Sequence, residues 1–187
     1  MVRFTPKRIL FTPWLSLIVI LGWGTPLWAQ TLSEEEQNLY QIIMDERAKQ
    51  GLPAIPLSKS LTTVAQIHVR DLENHQPDQG GCNLHSWSDQ GDWTPCCYTP
   101  DHAQAKCMWE KPQELTSYSG NGFEISYWSS AGASAAEALE GWQRSSGHYN
   151  VIMNRGTWKK YTWQAIGIGL YGQYGVVWFG AATDPQE

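Results

Sequence analysis

Basic residues are scarce in this sequence, and those that occur are unevenly placed. The 187 residues include 13 Lys or Arg against 18 Asp or Glu, a formal net charge of −5. Arg3, Lys7 and Arg8 all lie within the first 29 positions, so residues 30–187 carry 10 basic and 18 acidic residues, a charge of −8. Nucleic-acid binding depends on a basic footprint. The composition therefore argues against nucleic acid as a partner.

After its N-terminus the sequence also lacks any apolar run long enough to span a bilayer. The first 29 residues resemble an export signal, with a basic start, an apolar stretch at residues 9–23, and Ala29 before Gln30. Pro13 and Gly22 interrupt the apolar stretch, so we expect cleavage after Ala29 rather than a retained N-terminal anchor. This predicts a signal peptide at residues 1–29 and a single domain at residues 30–187, secreted or periplasmic.

Cysteines are few and confined to one stretch of 26 residues: Cys82, Cys96, Cys97 and Cys107. An even number of cysteines in an exported chain predicts two disulfide bonds. Adjacent Cys96 and Cys97 are poor partners for each other. That leaves Cys82–Cys96 with Cys97–Cys107, or Cys82–Cys97 with Cys96–Cys107, and the sequence does not choose. No CxxC spacing occurs, which argues against a zinc site at these cysteines.

Serine caps predict three helices. Two of them begin with an S-x-x-E capping box, Ser33 with Glu36 and Ser134 with Glu137. The first helix is predicted to end near Gly51 and the third near residues 145–147. Ser60 is predicted to cap the second helix. The apolar face of that helix includes Leu61, Val64, Ala65, His68 and Leu72.

The rest of the chain divides into a polar stretch and a hairpin. From about residue 73 to residue 118 the chain is rich in Gly, Pro, Asp and Trp, which predicts a long loop region stapled by disulfides. Residues 163–170 and 176–179 are β-branched and aromatic, with Gly172 and Gly175 between them. This pattern predicts a β-hairpin.

Three turn-rich segments, residues 83–89, 121–125 and 145–150, each contain a histidine or an acid. They contribute His85, Glu124 and His148. Two neutral imidazoles and a carboxylate suit zinc or a similar divalent ion. The segments therefore predict a candidate metal site built from distant parts of the chain.

These segments also carry a resemblance to the CAP superfamily: the cysteine-rich secretory, antigen 5 and plant pathogenesis-related proteins. The matching elements are the end of the first helix at residues 45–52, the second-helix residues Leu61, Ala65, His68 and Asp71, His85 with Ser88 and Asp89, Gly122-Phe123-Glu124, the W-x-x-S-x-G-H run from Trp142 to His148, and the hairpin glycines Gly167 and Gly169. The resemblance covers most of residues 30–187.

The resemblance implies an α+β fold, a three-layer α/β/α sandwich. The family's cleft carries two histidines and two glutamates, which in some members hold a divalent metal. Only His85, Glu124 and His148 carry over, because Ser145 stands where long-type members have the second glutamate. The chain is in this respect similar to the short, bacterial type. Glu140 is a less favoured substitute for the missing acid.

The implied function is that of an exported binding module. Its cleft would bind a divalent cation such as zinc, a small apolar molecule of lipid or sterol type, or a cell-envelope component. Trp87 and Ser145 are predicted at the cleft rim. One alternative is a metal-dependent hydrolase with Glu124 as general base, although the sequence has no HExxH motif. Another is a structural surface domain with a relict cleft.

The remaining histidines have simpler interpretations. His68 lies on an apolar helix face, so it is predicted to be a hydrogen-bonded core residue. His75 and His102 are predicted to be exposed loop residues. Most of the eight tryptophans after residue 30 are predicted to pack in the core.

Overall fold

The computed structural model describes Met1 and residues 31–186. The predicted signal peptide therefore lies outside the described residues, apart from Met1. No helix within residues 31–186 is long and apolar enough to cross a membrane.

Five α-helices and three strands make up the described part of the chain. In order they are α1 (Glu34–Lys49), α2 (Lys59–His75), α3 (Ala105–Leu115), β1 (Gly122–Trp128), α4 (Ala135–Arg144), α5 (Ser146–Ile152), a 3-10 helix (Gly156–Lys160), β2 (Ala165–Tyr171) and β3 (Tyr174–Gly180). The strands form one antiparallel sheet in the order β1-β3-β2. The predicted hairpin is confirmed as β2 and β3.

The predicted capping residues begin two of these helices. The Ser33 side chain accepts a hydrogen bond from the Glu36 backbone, and the Glu36 carboxylate accepts one from the Ser33 backbone. Ser134 caps α4 by accepting from the backbone of Glu137. These bonds satisfy N–H groups that the first helical turn leaves without partners.

The cap predicted for the second helix is wrong by two residues. Ser58, not Ser60, accepts the hydrogen bond from the Leu61 backbone. Ser60 instead donates its hydroxyl and its backbone N–H to the buried carboxylate of Asp184. Both serines suit a cap, and both donate a hydroxyl hydrogen bond to Asp184, but only Ser58 also accepts from the helix backbone.

The sheet separates two hydrophobic cores. Val177 and Phe179 of β3 pack in one core with α1, α4 and α5, whereas Val176 and Trp178 pack in the other with α2 and α3. The alternation follows from successive strand side chains pointing to opposite faces. The predicted three-layer α/β/α sandwich is confirmed.

Close contact between α2 and β2 depends on two glycines. A Cβ atom at Gly167 would overlap the backbone of Leu61, and one at Gly169 would overlap the backbone of Ala65. Absence of side chains at these positions lets the helix lie directly on the strand. The helix that carries His68 is thereby fixed against the sheet.

The long loop predicted for residues 73–118 is only partly correct. Helix α2 continues to His75, and α3 occupies Ala105–Leu115 within the predicted loop. The buried positions of α3 are Met108, Lys111 and Pro112. Their spacing is helical, but a lysine and a proline do not signal a buried helix face, which is why the pattern was misleading.

Two disulfides are present, as predicted, and the pairing is the second of the two alternatives. Cys82 bonds to Cys97, and Cys96 bonds to Cys107. The first bond closes a loop containing His85, and the second ties that loop to α3. All four cysteines are therefore paired.

Candidate functional site

The predicted site residues surround one cavity at the free edge of β1, an edge strand in the described sheet. The cavity has a volume of about 400 Å³. Its polar lining includes His85, Glu124 and His148. The apolar and aromatic lining consists of Tyr98, Ala105, Met108, Trp109, Phe123, Ile125, Val151 and Trp158. The structure thus brings the three predicted residues together, and their role as ligands stays a prediction.

Glu124 is a buried carboxylate held by two imidazoles. Its position in β1 places Oε1 2.9 Å from Nδ1 of His68 and Oε2 3.3 Å from Nδ1 of His85. Burial raises the pKa of Glu124, but the charge and hydrogen bonds of His68, together with His85, outweigh it, and the pKa is lowered overall. Glu124 is therefore an ionised, fully engaged side chain at neutral pH.

His68 is the residue that sequence reasoning placed only in the core. It is buried, as predicted, and both ring nitrogens face acceptors: Nδ1 faces Glu124, and Nε2 lies 2.8 Å from the Ser86 carbonyl. Burial lowers the pKa of His68, but the Glu124 charge and the hydrogen bonds to Glu124 and Ser86 together outweigh burial, and the pKa is raised overall. Two acceptor partners require both ring nitrogens to donate. His68 and Glu124 therefore form a buried ion pair.

His85 is positioned by the loop that Cys82–Cys97 closes. Its backbone N–H donates to the Asn83 side chain at 3.0 Å, and Nδ1 faces Glu124. A carboxylate facing Nδ1 favours the tautomer that carries the proton there. Nε2 of His85 has no hydrogen-bond partner among residues 31–186, so this nitrogen can contact a ligand.

His148 occupies the first turn of α5, directly after Gly147. The predicted end of the third helix at residues 145–147 is confirmed, since α4 ends at Arg144 and α5 begins at Ser146. The His148 ring makes no hydrogen bond with the described residues. Burial lowers the pKa of His148, and nearby His85 lowers it further. His148 is therefore a neutral imidazole lining the cavity at pH 7.

Several predicted or considered site residues lie elsewhere. The rim prediction for Trp87 is wrong: the residue is 2% exposed, and its indole stacks on the His68 ring at 4.2 Å. Ser145 is half-buried between α4 and α5 and does not line the cavity. Glu140 pairs with Arg144 in an exposed helical ion pair, so it does not replace the missing acid.

The two remaining histidines also differ in part from expectation. His75 is the last residue of α2, not a loop residue, and its Nδ1 lies 2.9 Å from Asp71. His102 is an exposed loop residue, as predicted, but it lines the cavity and lies 3.0 Å from the Tyr98 hydroxyl. Polar patterning alone does not indicate that the loop folds back over the site.

The donor groups fit a two-imidazole site better than the predicted three-ligand site. Within residues 31–186, no group of three or more His, Cys, Asp or Glu is arranged to hold a metal ion. Catalytic zinc sites use three protein ligands. Here both Glu124 oxygens face imidazoles. Glu124 therefore contacts Nδ1 of His85 and orients the ring, as carboxylates in the outer shell of a metal site do.

The aromatic wall of the cavity was not predicted from the sequence. Phe123 lies with its ring centroid 5.1 Å from that of Trp158 and 6.3 Å from that of Trp109. These residues come from β1, α3 and the 3-10 helix, so no local pattern links them. Only a knowledge of the tertiary fold places them beside His148.

Comparisons with known proteins identify the family and agree with the overall fold. The family described as "CAP: Cysteine-rich secretory protein family" matches residues 40–179. An outer surface protein from Borrelia burgdorferi has 17% identity and a TM-score of 0.54, with coverage of 81% of this chain and 95% of that one. An extracellular protein containing an SCP domain from Bacillus anthracis has 17% identity and a TM-score of 0.52, with coverage of 79% of this chain and 40% of that one. No curated protein matches. Since the family match spans most of the sequence, the chain belongs to the CAP superfamily of cysteine-rich secretory proteins.

Proposed function

We propose that this CAP domain is an exported binding module that takes a small apolar molecule into the cavity at β1. The observation that carries the proposal is the cavity lining, in which aliphatic and aromatic side chains surround a few convergent polar groups. Ligand sites in proteins have this composition and a similar size. His85 and His148 supply the polar end, where they would orient a polar group of the ligand.

An exported location supports this function. The two disulfides are bonds that persist in oxidising compartments. The N-terminal pattern of residues 1–29 favours passage through a membrane. We propose that the domain acts in a periplasm or outside the cell, where the ligand would be a lipid-like molecule or a component of the cell envelope.

Weak binding of a divalent cation is a second candidate function of the same cavity. The observation that favours it is a pair of imidazoles, His85 and His148, whose available nitrogens have no partner in the described structure. Such nitrogens suit zinc. Glu124 would hold the proton on Nδ1 of His85 and so direct Nε2 to the metal.

Turnover has less support than binding. A general base needs a free basic oxygen near its target. Glu124 has a lowered pKa and both oxygens engaged by histidines. The hydrolase alternative therefore has no unengaged carboxylate among the described residues of the cavity. The structural alternative, a relict cleft, corresponds to finding no binding in the tests below.

Filling the cavity tests the apolar ligand directly. N-phenyl-1-naphthylamine is a neutral apolar dye whose fluorescence rises in dry pockets. Ala105 lines the cavity, and Ala136 is exposed on α4. We expect Ala105→Phe to abolish dye binding and Ala136→Phe to leave it unchanged. Equal binding by both variants, or none by the unsubstituted protein, would contradict the proposal.

Zinc calorimetry tests the second candidate separately. We expect His85→Ala and His148→Ala each to remove most of the binding heat. His75→Ala is the matched control, because His75 lies outside the cavity. Zinc binding that persists in both cavity variants would place the metal elsewhere and reject this candidate without affecting the dye result.

A further inference from the structure

The charge of the domain is distributed unequally along the chain. Residues 141–183 contain four basic residues, Arg144, Arg155, Lys159 and Lys160, and no acidic residue. All 18 acidic residues therefore lie outside this stretch. Arg144 forms an ion pair with Glu140. The other three form no salt bridge with the described residues, so they contribute local positive charge to an otherwise acidic domain.

Two of these cations lie beside the cavity. Lys159 and Lys160 are exposed and follow Trp158 in the 3-10 helix. Trp158 itself lines the cavity. The Lys160 ammonium lies 5.1 Å from the centre of the Tyr161 ring. This contact keeps the aliphatic part of the lysine side chain near the aromatic wall. The positive charge is thus attached to the rim of the apolar pocket.

An exposed tryptophan completes this rim. Trp109 is 37% exposed and also lines the cavity, so it lies at the opening. Other exposed aromatics have polar partners away from the cavity: Trp128 donates to Gln173 at 3.2 Å, and Arg70 lies over Tyr171. Exposure of a large apolar group on a soluble domain is informative when it borders a pocket.

We propose that this rim, formed by Trp109, Trp158, Lys159 and Lys160, docks the domain on an anionic lipid surface. Tryptophan favours the boundary between water and hydrocarbon, because one end of its ring is polar and the rest apolar. Lysines near an anionic membrane each add about 1 kcal/mol of attraction. Docking in this orientation turns the cavity opening towards the lipid.

The lipid surface fits the rim better than a nucleic acid does. Nucleic-acid sites need an extended basic surface, whereas this rim has two lysines on a domain that is acidic elsewhere. Each rim tryptophan packs on Phe123 instead of standing apart as a stacking platform. Docking does not depend on the identity of the cavity ligand, since it requires only the rim.

Vesicle co-sedimentation tests the proposal. Exported protein is mixed with vesicles of phosphatidylcholine containing phosphatidylglycerol, or of phosphatidylcholine alone. We expect binding to the anionic vesicles only, with a decrease of about fivefold for each lysine replaced in Lys159→Ala and Lys160→Ala, and with loss at high salt. Trp109→Ala should also weaken binding. Any contribution of residues 1–29 is the same in all variants.

Matched controls make the result decisive. Trp128→Ala removes an exposed tryptophan away from the cavity, and Lys59→Ala removes an exposed lysine that does not line it. Both should bind like the unsubstituted protein. The proposal is overturned if the rim variants bind as tightly as these controls, or if duplex DNA competes fully with the vesicles. All variants are surface changes, so circular dichroism should confirm their fold.

Discussion

The buried ion pair between His68 and Glu124 is the most constrained interaction at the site. Both side chains have no solvent exposure, and each contacts a second partner, Ser86 and His85 respectively. A buried pair adds little net stability over apolar residues, but removing one partner leaves an uncompensated charge. The pair therefore defines the positions of the groups around it.

Replacing Glu124 should consequently destabilise the whole domain. We expect Glu124→Gln to lower the free energy of unfolding by about 3–5 kcal/mol, because the His68 imidazolium loses its counter-charge. Urea denaturation measures the change. His75→Ala, which removes a partly exposed contact with Asp71, should cost far less. A loss below about 1 kcal/mol for Glu124→Gln would show that His68 is neutral in the folded protein.

The stability that the His68–Glu124 pair contributes should decrease towards both low and high pH. The pKa of Glu124 is lowered from 4.5, so its contribution is present above pH 4.5 and is lost as pH falls through the folded value. The pKa of His68 is raised from 6.5, so its contribution is present below pH 6.5 and is lost as pH rises through the folded value. We expect the stability difference between wild type and Glu124→Gln to be largest between pH 4.5 and 6.5. A flat difference in urea unfolding across pH would contradict this assignment.

For single residues, the sequence predicted the environment correctly where a local pattern alone indicated it. The apolar face of α2 indicated that His68 is buried and hydrogen-bonded. Its partner Glu124 lies 56 positions further along the chain. No spacing rule relates two such residues, because strand β1 approaches α2 only through the tertiary fold. Trp87 was misplaced for the same reason, since its stacking partner is His68 rather than a ligand.

At the scale of elements, the disulfide between Cys96 and Cys107 attaches α3 to the loop that carries His85. Helix α3 has no side-chain N-cap, and Pro112 lies inside it. Proline in a helix interior removes a backbone hydrogen bond. The helix therefore depends on its covalent link and on packing against the sheet more than on its own sequence.

Removing this link should lower stability and disturb the cavity wall. We expect the double substitution Cys96→Ser and Cys107→Ser to cost about 2–5 kcal/mol in the free energy of unfolding. Dye binding should weaken in the same variant, because α3 supplies Ala105, Met108 and Trp109 to the cavity. Unfolding and dye titration measure the two effects. Unchanged values for both would show that packing alone positions α3.

Thiol titration checks that both disulfides are formed. Unfolded, unreduced protein should expose no free thiol, since all four cysteines are bonded. Two or more reactive thiols in exported protein would contradict the two-disulfide structure.

Whole elements differed in how far the sequence could predict them. Helices α1 and α4 were predicted because each starts with a capping box, whose bonds join residues three positions apart. Helix α3 was missed because Lys111, which is 1% exposed, supplies part of its buried face. That lysine donates to the Thr94 carbonyl and to Glu114. A buried lysine is acceptable only with such partners, and one of them lies in a distant loop.

At the scale of the whole molecule, the three layers depend on how closely α2 approaches the sheet. Most of the architecture could be anticipated from motifs that resemble a known family. The strand order could not, because it depends on which strand pairs with which. The order β1-β3-β2 places the last strand in the centre, and it makes β1 an edge where a cavity can open.

Enlarging a glycine in the contact between layers should therefore affect the entire domain. We expect Gly167→Ala to lower the free energy of unfolding by about 1–3 kcal/mol, since its methyl group would overlap the Leu61 backbone. Gly147→Ala is the control, because its methyl group would meet no atom closer than 3.9 Å. Thermal unfolding compares the two. Equal midpoints would indicate that α2 has room to move away from β2.

The bond between Cys82 and Cys97 has a consequence for where the protein is active. The ring that it closes includes His85, the Ser86 carbonyl that accepts from His68, and Trp87, which stacks on His68. A newly made chain in a reducing cytosol lacks this closure, so these groups beside the cavity are not yet held together. With the proposed export, oxidation would complete this part of the cavity, and a chain retained in the cytosol would lack the arrangement on which the proposed binding depends.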